Sequence, residues 1–314
     1  MPLDPQIETL LGLINQLPPL FSGAVEDARQ AADTWVGLDV EEKPAVATDD
    51  RRIPGPGGDL PIRVYTPAGV TPMAALVFFH GGGWVIGNID THDRICRELA
   101  AGADCKVFSV GYRLAPENKF PKAVEDSYAA TAWVVEHAVS LGADPARVAV
   151  GGDSSGGNLA AVTSLKARDH GGPQLQFQLL MYPVTDYVFD DESCRQASQG
   201  MVLDVAGMHW YTDHYTRDPE DVRNPYLMPM RADSLAGLPP ALVITGEYDP
   251  LRDQGEAYAR RLRSDGVQVT LRRYEGMVHA FLGMTAVIDA ARMAMDETTA
   301  TLREALWQAR AVGV

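Results

Sequence analysis

The residues best suited to chemistry lie in "RVAVGGDSSGGNLAA", residues 147–161, where Ser154 has Gly152 and Gly156 two positions to either side. Serine disfavours helix interiors and glycine weakens helices and strands alike, so a strand-to-helix corner built this way costs local stability. In a nucleophile elbow that cost has a reason. The serine sits on a strained turn, and side chains two positions away would meet neighbouring backbone. The hydroxyl then projects above the carboxyl end of the strand, beside the positive end of a helix. G-x-S-x-G alone arises by chance in roughly one chain of this length in ten, and a plain glycine-rich turn gives the same letters. A phosphate-cradling loop fits less well, because no lysine follows the glycines.

A second segment, "FFHGGGW", runs from an apolar stretch through His80, Gly81, Gly82 and Gly83 to Trp84. Consecutive glycines let backbone N–H groups approach a ligand oxygen without side-chain interference, as stabilisation of a tetrahedral oxyanion requires. A serine nucleophile also needs a base, and the base needs a carboxylate to hold it. The chain has seven histidines. His80 belongs to the glycine segment, His92 and His137 fall in expected helices, and His170 lies at a helix end. His209 and His214 lie in a polar, aromatic excursion described below. Only His279, in "YEGMVHAF", occupies a loop between a late strand and the last helix. The acid belongs between Ser154 and His279, at a strand's carboxyl end. "ALVITGEYDPLRD" offers Asp249 directly after the strand, with Asp253 as the main rival and Glu247 behind it.

With these segments placed, the sequence resembles the bacterial hormone-sensitive-lipase-like (family IV) carboxylesterases of the α/β-hydrolase superfamily. The resemblance runs from "HGGGW" through "YRLAPENKFPKAVEDSYAA", "GGDSSGG" and "YDPLRDQGEAYARRL" to "GMVHAF". It implies Ser154 as nucleophile, Asp249 as acid and His279 as base, with oxyanion donors from the backbone of Gly81, Gly82 and Ser155. Ser155 is a departure, since the family more often has alanine there; Asp153 is common in one branch and otherwise reads as a loop carboxylate. The implied reaction is hydrolysis of short- to medium-chain carboxylic esters through an acyl-enzyme, without metal or organic cofactor. An amidase or arylformamidase and a non-catalytic ligand receptor are the alternatives on the same fold. Trp84, Trp210, Tyr211 and Phe281 are the expected pocket residues, although aromatic side chains are more often simple core.

These groups need a scaffold, and the remaining sequence supplies one. Apolar runs at 62–66, 75–79, 106–110, 147–151, 176–182, 241–246 and 267–273 alternate with helical patterns at 91–102, 121–139, 155–168, 252–264 and 285–309. That alternation predicts an α/β fold, a mostly parallel central sheet covered by helices on both faces. Residues 5–17 repeat Ile7, Leu10, Leu11 and Ile14 at helical spacing until Pro18-Pro19, and a second helical stretch ends near Trp35. From 186 to 236 the chain is polar and aromatic, with a helix in "MVLDVAGMHWYTDHYT" and no convincing strand. The expected organisation is cap helices in 1–45, a catalytic domain in 46–185 and 237–314, and a cap insertion in 186–236.

Composition narrows the partners. The 314 residues are 46% hydrophobic and 22% charged, with net charge −15 and a pI near 4.8. Nucleic-acid binding needs a basic face, so it is not expected; anionic membranes are disfavoured equally. Cys96, Cys105 and Cys194 form neither a metal spacing nor a disulfide framework. With no basic residue before Arg29 and no apolar run long enough to span a bilayer, a cytoplasmic location is expected. The expected partner is a small-molecule ester, and the chain is a monomer or a homodimer paired through its last strand.

Overall fold

The segments that read as apolar throughout are the ones sandwiched between helical layers. In the computed structural model, which describes residues 2–17, 20–21, 23–36, 42–69, 71–197 and 200–308, every residue of β3 (Met73–Phe79), β4 (Cys105–Val110) and β6 (Phe177–Met181) is buried. They join β1 (Ala47–Gly55), β2 (Gly58–Thr66), β5 (Ala143–Asp153), β7 (Ala241–Tyr248) and β8 (Val269–Val278) in one sheet of order β1-β2-β4-β3-β5-β6-β7-β8. The first two pairings, β1 with β2 and β2 with β4, are antiparallel, and all the others are parallel. β5 therefore lies inside the sheet, and its carboxyl end is the place where a parallel sheet of this kind presents functional groups.

The helices supply the crossovers. Side chains of α3 (Asp93–Ala103) and α9 (Asp289–Gln308) join one apolar cluster, and those of α4 (Lys122–His137), α5 (Ser155–Asp169) and α8 (Arg252–Ser264) join another. α5 is buried along almost its whole length, which explains its small residues, Gly156, Gly157, Ala160 and Ala161. β1 is the one strand without a sequence signal. It reads "ATDDRRIPG", buries only Ile53, and exists because all nine residues pair with β2.

Two more helices, α1 (Pro5–Ile14) and α2 (Val25–Val36), precede the sheet. The 186–236 excursion contains α6 (Glu192–Gln196), α7 (Val205–Tyr215) and two 3-10 turns, and no strand among its described residues. The Asn15 amide donates to the Gly200 carbonyl at 3.0 Å, and the Tyr211 hydroxyl donates to the Leu20 carbonyl at 3.1 Å, so the two regions meet. Pro18-Pro19, and residue 309 at the end of the expected last helix, lie outside the described residues.

Arg29 fastens α2 to the loops that follow β3 and β4. Its guanidinium donates to the carbonyls of Val85 (3.0 Å) and Ala115 (2.9 Å) and forms a two-bond pair with Glu117, both contacts at 2.8 Å. Discounting for its partial exposure, we expect Arg29→Ala to lower stability by about 1–2 kcal/mol. Urea unfolding checks this, and an unchanged midpoint would mean the contacts are idle.

Candidate active site

β5 ends at Asp153 and α5 starts at Ser155, so the whole change of direction falls on Ser154, at φ 56° and ψ −120°. Such a backbone is costly for a residue with a Cβ and persists only when the surroundings impose it. They do: the Ser154 N–H donates to the Met181 carbonyl at 2.8 Å, and its carbonyl accepts the Asn158 N–H at 3.0 Å. The flanking glycines are sterically required. A Cβ on Gly152 would lie 2.4 Å from the Gly156 and Phe79 carbonyl oxygens, and one on Gly156 would lie 1.9 Å from the Phe79 oxygen. The colliding backbone thus includes the end of β3 as well as the elbow itself.

β7 and β8 deliver the other two groups. Asp249 follows β7 directly and is fully buried; its Oδ1 accepts the Leu251 N–H at 2.8 Å, which fixes the carboxylate plane. Its Oδ2 lies 2.8 Å from Nδ1 of His279, the residue after β8, and His279 Nε2 lies 2.9 Å from Ser154 Oγ. A carboxylate can only accept, so Nδ1 carries the imidazole proton and Nε2 turns its lone pair to the serine hydroxyl. Three residues far apart in sequence form one unbroken chain of contacts.

The rivals are engaged elsewhere. Asp253 accepts the Ser193 N–H at 2.8 Å and pairs with Arg252 at 2.9 Å, while Glu247 accepts the Gly276 N–H at 2.8 Å. Nδ1 of His137, His170 and His214 each donates to the carbonyl four residues earlier in its own helix.

The glycine loop corrects one expectation. The Gly81 N–H donates to Asp153 Oδ1 at 2.8 Å, so it is already taken. The loop then turns through three residues of positive φ, Gly82 (112°), Gly83 (59°) and Trp84 (61°). The N–H groups of Gly82 and Gly83 make no hydrogen bond to the described residues. That of Ser155, first in α5, is among the donors every helix leaves open. Among the described residues the unpaired trio is therefore Gly82, Gly83 and Ser155, and Gly83 was not among the expected donors. Asp153 is no ordinary loop carboxylate, since it anchors the first glycine. Burial pushes its carboxyl upward, but His92, 3.3 Å away, His80 and the Gly81 N–H together hold it below the usual range.

His80 stacks on Tyr112 and its Nδ1 lies 2.8 Å from the Gly81 carbonyl. Burial, reinforced by neighbouring His92, pushes its imidazole down to about 3. It is therefore neutral in the folded protein but protonates below about 6.5 once unfolded. Its contribution is complete above pH 6.5 and is lost progressively as pH falls toward 3. We expect it to remove about 2–3 kcal/mol between pH 7.5 and 4.5. Urea melts of His80→Gln across that window should show a shallower slope, by about one proton; an unchanged slope would contradict it.

Ser154 and His279 open into a cavity of about 310 Å³ with mostly apolar walls. Trp84 and Tyr211 line it as expected, but Trp210 and Phe281 do not. Trp210 is half-buried on α7 against His214, and Phe281 is fully buried against Tyr182 and Tyr274, behind the histidine rather than beside the substrate space. Lining residues not named in advance as pocket residues include Leu10 and Ile14 of α1 and Met208 of α7. Among the described residues no three His, Cys, Asp or Glu side chains are grouped to hold a metal, and no helix is long and apolar enough to cross a membrane.

Comparison with known proteins gives the family of the fold. A family model described as alpha/beta hydrolase fold matches residues 76–283. The chain is 41% identical to the carboxylic ester hydrolase LipN of Mycobacterium tuberculosis, over 96% of this chain and 82% of that protein. It is likewise 41% identical to the carboxylesterase NlhH of the same organism, over 97% and 96%. Among solved structures, a thermostable esterase from Pseudomonas putida superposes with a TM-score of 0.94 at 39% identity, covering 97% of this chain and 98% of that one. The chain belongs to the alpha/beta hydrolase fold family, in its hormone-sensitive-lipase-like branch.

Proposed function

We propose that this protein is a serine carboxylesterase that hydrolyses short- to medium-chain esters through an acyl-enzyme on Ser154. The observation that carries the reading is the contact chain from Asp249 through His279 to Ser154 Oγ, ending in a cavity faced by unpaired backbone donors. His279 Nε2 takes the hydroxyl proton as Oγ attacks the ester carbonyl, and Asp249 stabilises the resulting imidazolium. The carbonyl oxygen gains charge where the Gly82, Gly83 and Ser155 N–H groups converge, and such donors act most strongly in a site that excludes water. His279 then protonates the leaving alkoxide. Water repeats the sequence in reverse to release the acid.

The cap belongs to the same reading. We read the described parts of 1–45 and 186–236 as a cap on a catalytic domain in 46–185 and 237–314, a reading supported by Leu10, Ile14, Leu203, Met208 and Tyr211, which all line the cavity. Apolar walls select a neutral acyl or alkyl group, and the limited volume selects against long chains. Three free, buried cysteines support a cytoplasmic location.

The test is a set of initial rates on p-nitrophenyl esters from acetyl to palmitoyl, with matched anilides. A maximum at short or medium chains supports the assignment. Turnover of the anilides alone, or of palmitate above all others, would overturn it.

A further inference from the structure

The residue after the nucleophile contributes its side chain as well as its backbone. Ser155 is fully buried, and its Oγ accepts the Trp84 N–H at 3.2 Å, from 71 positions away in sequence. Trp84 is the last of the three positive-φ residues of the glycine loop and the only one with a Cβ. Two glycines in succession leave the peptide planes between them free to rotate, so their N–H directions depend on what holds each end of the loop. The near end is held by the Gly81 N–H on Asp153 Oδ1 and by the Tyr112 hydroxyl, which donates to the His80 carbonyl at 2.8 Å. The far end is held by the Ala115 N–H on the Trp84 carbonyl at 2.9 Å and by Ser155 Oγ.

We propose that the Ser155 hydroxyl is a positioning residue for the oxyanion site: by holding the Trp84 peptide it sets the Gly82 and Gly83 N–H groups against the N–H of Ser155 itself. This rests on the ester-hydrolase reading of the same site. Without the hydroxyl, the donors remain present but lose their register with the elbow. The loss falls on the tetrahedral state, where the oxyanion exists, and not on substrate binding.

The experiment compares wild type with Ser155→Ala and Ser155→Cys, on p-nitrophenyl butyrate and on an aryl trifluoromethyl ketone. The ketone forms a tetrahedral adduct with the serine and places an oxyanion in the same site. For Ser155→Ala we expect kcat to fall about 10-fold, short of the 10²–10³ for deleting a donor outright. KM should stay within about twofold, and the ketone inhibition constant should rise in parallel with the loss in kcat. Ser155→Cys, whose sulfur accepts more weakly, should fall between, and it carries the comparison if the alanine variant does not fold. A lowered Tm with kcat and ketone affinity within twofold of wild type would reduce Ser155 to a structural role and overturn the inference. Wild type that neither hydrolyses the ester nor binds the ketone would overturn the ester-hydrolase reading and the inference with it.

Discussion

Ser154→Ala is expected to lower kcat by at least about 10⁴-fold with little change in Tm. Among the described residues the hydroxyl's one hydrogen bond is with His279 Nε2, and the imidazole stays fixed by Asp249 when it is gone. Alanine keeps the Cβ, so the φ of 56° costs the same as before and the elbow has no reason to rearrange. Residual turnover measures what the backbone donors and the cavity achieve alone. Ser154→Gly provides an internal comparison. Glycine should relieve about 1–3 kcal/mol of backbone strain and return about 0.4–1 kcal/mol through the entropy of the unfolded chain. The glycine variant should therefore be as inactive as alanine and unfold at a higher temperature. Kinetics with calorimetry on both variants check the pair. Near-wild-type turnover in Ser154→Ala would remove the nucleophile from this account.

What the sequence revealed, and what it hid, follows from where each constraint originates. Ser154, Asp249 and His279 were legible because the chemistry demands particular residue types, in a particular order, at the ends of particular strands. β3, β4 and β6 were legible because burial on both faces leaves an unbroken apolar run. β1 carried no such mark. Its Asp49, Asp50, Arg51 and Arg52 suit a solvated edge, and only pairing with β2 makes them a strand. The choice among Gly81, Gly82 and Gly83 was equally hidden, since three identical letters give no clue to which N–H is spent. It turns on Asp153, 72 positions away, which takes the first. Trp210 and Tyr211 make the same point on α7. Neighbours on a helix point about 100° apart, so only one of two adjacent aromatics reaches the cavity, and composition does not say which.

Asp249→Asn tests the least visible member of the site, and we expect a kcat loss on the order of 10⁴-fold in a folded protein. The asparagine oxygen can keep the Leu251 N–H that Asp249 Oδ1 now accepts. Its amide then faces His279 Nδ1, and an amide N–H cannot accept the imidazole proton. The ring must take the other tautomer, with Nδ1 as acceptor and Nε2 protonated toward Ser154 Oγ. Every heavy atom can remain in place while the base is gone. The replacement is nearly isosteric in a fully buried position, and one hydrogen bond replaces another, so stability should change far less than activity. Asp253→Asn is the control. Its carboxylate serves Ser193 and Arg252, so its replacement should leave kcat within a few-fold and cost about 1 kcal/mol of stability. Paired measurement of kcat, KM and urea midpoints on p-nitrophenyl butyrate separates the two acids. If Asp253→Asn carried the large loss and Asp249→Asn did not, the carboxylate assignment would have to move to α8.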